Sequence, residues 1–188
     1  MLEFRAAKKE DCRTIAELYS ISSDGVADYI WTQLAEDKEN VYHVGQRRYE
    51  NEDSVFSYKN CIVVEKDKKI IGMLVAFPMI SDGAVSDDPV LAPYSQLEFD
   101  NSFYICGVAL FSEYRGLGIG TELMQLAEQQ AKIRKFNILS LVVFEENTDA
   151  VRLYEKLGYK EVQREKIVPH PLIHYTGDAI LMIKNLSK

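Results

Sequence analysis

Apolar positions along this chain fall into short runs with strand character, broken by stretches with helical spacing. Leu2 to Arg5 reads as a first strand. Asp11 is placed to cap a helix running to about Ser20, carrying Ile15, Ala16, Leu18 and Tyr19. Ser22-Ser23-Asp24-Gly25 interrupts it, and Val26 to Leu34 resumes helical spacing through Ile30, Trp31 and Leu34. Cys61 to Val64 and Ile70 to Phe77, separated by Asp67-Lys68, form a β-hairpin pattern. Phe103 to Phe111 and Leu139 to Phe144 are further strands. Thr121 to Phe136, with Leu123, Met124, Ala127 and Ala131 on one side, and Asn147 to Leu157 are helices. Val162 to Val168 and Ala179 to Ile183 read as closing strands around a Pro-His-Pro loop.

Two segments resist a periodic reading. Glu36 to Lys59 holds Tyr42, His43, Arg47, Arg48, Tyr49, Phe56 and Tyr58, a mixture too rich in aromatic and basic groups for an idle linker. Ser81 to Ser95 contains Gly83, Pro89 and Pro93 and reads as a surface loop. No internal repeat or low-complexity tract is present. The order of elements predicts a mixed α/β fold, with residues 1–188 forming one domain.

Composition narrows the function. A chain of 188 residues, 47% hydrophobic, with a mean hydropathy of -0.18, has the makings of a water-soluble domain with a good core. The net charge of -7 argues against a general nucleic-acid binder, which would present a basic face. No window approaches a membrane span and the first residues lack a signal-peptide core, so a reducing, cytoplasmic setting is expected. Cys12, Cys61 and Cys106 are too widely spaced for a metal site or disulfide framework; Cys61 and Cys106 sit in apolar runs and read as buried thiols.

The candidate chemistry sits at Arg115-Gly116-Leu117-Gly118-Ile119-Gly120-Thr121, between a strand and a helix. A glycine-rich turn there presents backbone N–H groups at the positive end of a helix dipole and takes phosphate without a lysine. A dinucleotide fingerprint fails on spacing: Thr121 stands where the close-packing third glycine or alanine belongs, Ser112 to Arg115 intervene after the strand, and only Glu145 fits, as a ribose-binding acid. A P-loop is excluded by the absence of Gly-Lys-Ser/Thr. Three alternating glycines weigh against a purely structural turn. Downstream, Asn147 lies near the start of a helix, Tyr154 falls about two turns along the same face, Gly158 suits its C-terminal cap, and the Tyr159 ring follows into the core.

These two blocks together resemble the GNAT superfamily of acyl-CoA-dependent N-acyltransferases. Arg115-x-x-Gly118-x-Gly120 fits its Arg/Gln-x-x-Gly-x-Gly/Ala signature, and Asn147, Ala150, Tyr154, Gly158 and Tyr159 fit its second pattern. The resemblance implies a twisted mixed sheet with helices on both faces and acetyl-CoA as co-substrate, without a metal. It implies that Arg115, Gly116, Leu117, Gly118, Ile119, Gly120 and Thr121 hold the coenzyme's pyrophosphate. Val108 and Leu110 match positions that bond the pantetheine arm through the main chain, and Asn147 matches a residue that contacts it. The cofactor-binding core is expected over about 100–160, and an acceptor site over about 20–60 and 165–178.

Tyr154 matches a phenol placed near the thioester sulfur, where a group of pKa about 10 can protonate a thiol of about 8.5 as it leaves. The expected reaction is transfer of acetyl from acetyl-CoA to a primary amine of a small molecule or peptide by direct attack. The alternatives are a non-catalytic, CoA-binding regulatory module and a transferase using another acyl-CoA. Glu98, Asp100 and His174 are candidate bases, each more readily explained as a surface or structural group. Tyr29, Trp31, Tyr42 and Arg47 are candidates for the acceptor wall, although Trp31 on its helix also suits the core. His170 and His174 flank a loop without metal spacing. Neither nucleic acid nor membrane is an expected partner, and exposed sheet edges leave a homodimer open.

Overall fold

The computed structural model describes residues 1–186. Its strands are β1 (Leu2–Ala6), β2 (Cys61–Lys66), β3 (Lys69–Met79), β4 (Ser102–Leu110), β5 (Ile138–Phe144), β6 (Lys160–Lys166) and β7 (Asp178–Asn185). The helices are α1 (Cys12–Ser22), α2 (Val26–Leu34), α3 (Val41–Glu50), α4 (Ala92–Gln96), α5 (Ile119–Ile133) and α6 (Thr148–Lys156). The strands form a mixed sheet of 7 strands, ordered β1-β2-β3-β4-β5-β7-β6, flanked by helices. By compactness the chain divides into two units, Met1–Ala76 with Gly107–Met124, and Phe77–Cys106 with Gln125–Lys188.

In the first unit, β1 pairs antiparallel with β2, and β2 with β3. Asp67 and Lys68 take φ of 51° and 63°, the left-handed pair that a two-residue hairpin turn demands. Buried residues run without break along much of β3, the pattern of a strand covered on both faces. α3 fills part of the segment without a periodic reading. Asn40 caps it by accepting the Tyr42 N–H at 2.9 Å, and Val44, Gly45 and Tyr49 are buried. Its pattern is masked by Gly45, where a Cβ would stand 2.7 Å from the Trp31 ring and 2.8 Å from Ala16. Asp11 does not cap α1 as expected. Its carboxylate accepts the Lys8 N–H at 2.8 Å and pairs with Arg5 at 2.7 Å, while Arg5 also reaches Glu65.

In the second unit, β4 runs parallel to β5, with Phe103 opposite Leu139, Tyr104 opposite Ser140 and Ile105 opposite Leu141. A buried pair of hydroxyls, Ser102 and Ser140 at 2.6 Å, ties the two strands at this point, and Ser102 also donates to the Phe99 carbonyl. Such a satisfied polar contact fixes register where aliphatic packing alone would allow sliding. β7 pairs antiparallel with β5 on one side and β6 on the other. β6 is the exposed edge, and Lys160, Glu161, Arg164, Glu165 and Lys166 protect it from further pairing. The Ser81–Ser95 stretch is not loop throughout, because α4 begins inside it. Pro93 stands in the first turn of α4, where the missing N–H costs nothing, and Leu97 anchors its end in the core.

The end of β4 is held down by a close approach. A Cβ at Gly72 would lie 2.3 Å from Leu110 Cδ2 and 2.9 Å from the Ala109 carbonyl, and the Phe111 N–H donates to the Ile71 carbonyl at 3.0 Å. Gly72→Val should therefore destabilise the protein by about 1–3 kcal/mol through overpacking, read as a lower urea midpoint at unchanged slope. A neutral substitution would mean that β4 is not set by this contact.

Candidate active site

β4 leads through a short 3-10 turn, Ser112–Tyr114, into the glycine segment and then α5. The helix starts at Ile119, earlier than expected, because Ile119 itself is buried and joins Leu123, Met124, Ala127 and Ala131 on the core side. Gly116 and Gly118 adopt φ of +74° and +83°. Nothing lies within 4 Å of a Cβ built at either position, so these glycines serve the backbone path and not close packing. The next residue to point outward is Leu117, which is 65% exposed.

The amides of this segment are the central observation. Among the described residues, those of Gly116, Gly118, Ile119, Gly120 and Thr121 donate to no protein acceptor, residues 115–116 form a hydrogen-bonded turn closed by the Leu117 N–H, and the ladder of α5 begins with Glu122 N–H on the Gly118 carbonyl at 3.2 Å. Arg115 differs from the expectation, since its amide is taken by the Ser112 carbonyl at 3.3 Å and its Nε donates to the Leu110 carbonyl at 3.2 Å. Arg115 thus fastens the turn to the end of its strand and keeps the rest of its guanidinium for other work. A row of uncommitted N–H groups at a helix N-terminus, over open space, accepts an anion with little reorganisation.

In the second unit, Asn147 caps α6, its side-chain oxygen accepting the Ala150 N–H at 3.4 Å. Tyr154 lies in that helix, half-buried, its ring 5.9 Å from that of Tyr159. Tyr159 is buried as expected, and burial drives its phenol ionisation far above the ordinary range. Gly158 has φ of +91° and terminates the helix in the left-handed conformation. Glu145 is no ribose ligand in waiting: it accepts the Asp178 N–H at 3.0 Å and faces Arg164, strapping the start of β7.

The remaining candidates separate clearly. Trp31 is 2% exposed against Gly45 and belongs to the core, not to a wall. Tyr42 lies under the Arg13 guanidinium, 5.3 Å from ring centre to Cζ, and Arg47 pairs with Glu39 at 2.8 Å. Glu98 accepts the Ser81 hydroxyl at 2.6 Å and Asp100 the Ser81 N–H at 3.0 Å, while His174 is exposed. His170 uses Nδ1 to accept the Leu172 N–H. No cluster of three or more metal-ligating side chains occurs among the described residues. Cys12 and Cys61 are buried, and burial pushes the Cys12 thiol up to about 11; Cys106, expected to be buried, is only partly so. Tyr104 on β4 and Phe77 on β3 meet edge to face, their ring centres 5.7 Å apart.

Fold and turn together define a mixed α/β protein with a glycine bend at a helix N-terminus. The chain matches the acetyltransferase (GNAT) family over residues 26–159, and it belongs to that family. It is 40% identical over 77 residues to an N-alpha-acetyltransferase of Sulfurisphaera tokodaii, covering 40% of this chain and 41% of that protein. It is 30% identical over 131 residues to an uncharacterized N-acetyltransferase of Methanocaldococcus jannaschii, covering 68% and 67% respectively. The chain therefore spans less than half the length of the first of these relatives. Among solved structures, a mosquito arylalkylamine N-acetyltransferase like 5b superposes with a TM-score of 0.70 at 17% identity, over 99% of this chain and 100% of that one.

The backbone argument for the turn has a direct check. Gly118→Val should cost about 1–2 kcal/mol of stability from left-handed strain alone, and Gly118→Asn, which tolerates that region, markedly less. Equal urea midpoints for the two variants would mean that φ is not what requires glycine here.

Proposed function

We propose that this chain transfers an acetyl group from acetyl-CoA to a primary amine of a small molecule or peptide, by direct attack of the amine on the thioester. The uncommitted amides of Gly116 and of Gly118 to Thr121 carry this reading. In it, those N–H groups hold the coenzyme's pyrophosphate, each charge-assisted bond contributing about 1.5–3 kcal/mol, and the Arg115 guanidinium adds charge. The main chain at Val108 and Leu110 takes the pantetheine arm as a short extra strand, and Asn147 meets the arm at the start of α6. Segments within about 20–60 and 165–178 receive the acceptor.

Tyr154 serves the leaving sulfur. As the tetrahedral intermediate collapses, the C–S electron pair goes to sulfur, and a phenol near pKa 10 hydrogen-bonds or protonates a thiolate near 8.5. No acyl-enzyme is needed. A lysine-like ammonium loses its proton at a cost of about 4.6 kcal/mol at pH 7. Positioning amine and thioester in contact supplies more than that.

Amines screened with acetyl-CoA while free thiol is followed should reveal the acceptor. Initial-rate lines are expected to intersect, as a ternary complex requires; parallel lines would point to an acyl-enzyme and overturn direct attack. Tyr154→Phe should lower kcat by about 10²-fold and leave acetyl-CoA affinity within about twofold. Unchanged turnover at every pH would remove Tyr154 from the mechanism.

A further inference from the structure

Among the described residues the sheet ends in two open edges, β6 and β1. Symmetric antiparallel pairing of an edge strand with a second copy opposes residues that lie equally far from a central residue. On β6 every such register sets like charges face to face. Centring on Val162 opposes Lys160 to Arg164, and centring on Gln163 opposes Lys160 to Lys166 and Glu161 to Glu165. A centre on any charged residue opposes it to itself. Val162 is also the extra residue of a bulge, since Glu161 pairs with Met182 and Gln163 with Leu181.

β1, in the first unit, has neither defence. Leu2-Glu3-Phe4-Arg5-Ala6 holds no lysine, proline or bulge, and its ladder to β2 is unbroken. The Ala7 N–H donates to the Cys61 carbonyl at 3.0 Å, so by alternation Glu3 and Arg5 also turn their main-chain groups toward β2. Those of Leu2, Phe4 and Ala6 face the open side. The Ala6 carbonyl accepts Arg5 Nη1 at 3.2 Å and keeps a second lone pair. Leu2 is 39% exposed and Ala6 is exposed, which leaves apolar surface along this edge. Glu3 stands opposite Glu65 and has no cation partner among the described residues, whereas Arg5 bridges Glu65 and Asp11.

We propose that β1 is a self-docking edge, through which two copies of this chain pair antiparallel about a two-fold axis at Phe4. In that register Phe4 faces Phe4, and Leu2 faces Ala6 of the second copy, each pair exchanging both main-chain hydrogen bonds. Glu3 faces Arg5 of the second copy on either side of the axis, giving the unpartnered carboxylate an opposite charge. Centring on Glu3 or on Arg5 instead opposes like charges and pairs fewer of the outward residues. The β3-β2-β1 ladders of the two copies join across the axis. This contact is independent of the acetyl-transfer reading. A strand of 5 residues makes a small interface, so the dimer dissociates on dilution.

Sedimentation velocity of the 188-residue chain, from about 1 μM to about 1 mM, should show a reversible monomer–dimer equilibrium. Glu3→Lys sets like charges opposite each other in both symmetric pairs and should weaken association about tenfold or more. Its unfolding midpoint should not fall, because Glu3 is exposed and faces Glu65. Glu165→Lys on β6 should leave association unchanged. Phe4→Cys brings two thiols onto Cα atoms about 5.5 Å apart and should yield a disulfide-linked dimer under mild oxidation, absent from wild type. Ala6→Cys lies about 14 Å along the strand from its own copy and should not. A chain that stays monomeric to about 1 mM, a Glu3→Lys variant that dimerises as wild type does, or equal cross-linking at positions 4 and 6 would overturn the proposal.

Discussion

Positive φ at Gly116 and Gly118 is the constraint on which the proposed site depends, because it decides where the backbone amides of the turn can go. An ordinary L-residue would pay for that conformation, and a turn built without it would fold its N–H groups back onto its own carbonyls. Here the amides of Gly116 and of Gly118 to Thr121 are left without protein acceptors as α5 begins. Four orphan donors are the common condition of any helix start. The glycines extend the set beyond the helix and keep the space above it open. Arg115 completes the arrangement by binding the Leu110 carbonyl, which makes the path of the turn a consequence of where β4 ends.

A net charge of -7 would seem a poor setting for a polyanionic coenzyme. Long-range repulsion is screened beyond about 8–10 Å at physiological salt, whereas bonds from backbone N–H groups act at contact distance and hardly feel that screening. Affinity can therefore be local while the surface remains acidic. Under the proposed reading, the same surface would favour an acceptor that arrives as an ammonium ion, so short-range dipoles would serve the anion and the net field the cation.

Strand and helix order were legible in the sequence wherever periodicity was strong, as in the β2–β3 hairpin, β4, α5 and β5. The misreadings share a cause: a residue whose local preference was read without its neighbours. Gly45 and Pro93 looked like breakers, yet Gly45 gives Trp31 room inside a helix and Pro93 occupies a first turn where it is harmless. Asp11 looked like a cap, but Arg5 on β1 claims it, a contact invisible to local pattern. For the site, motif spacing singled out the glycines and Tyr154 because those positions answer to short-range rules. Tyr104 obeys only the two-residue period of its strand, and its contact with Phe77 leaves no local mark. The amide of Arg115 was misassigned for the same reason, since the 3-10 turn that occupies it has no sequence mark.

On the proposed reading, an acceptor amine must shed its proton near neutral pH before its nitrogen can attack the thioester. That deprotonation costs about 4.6 kcal/mol, and approximation of two reactants is worth about 7–11 kcal/mol when geometry is well held, so the reading needs a firmly placed β4 more than a strong base. The Ser102–Ser140 pair and the edge-on contact of Phe77 with Tyr104 hold that strand in place.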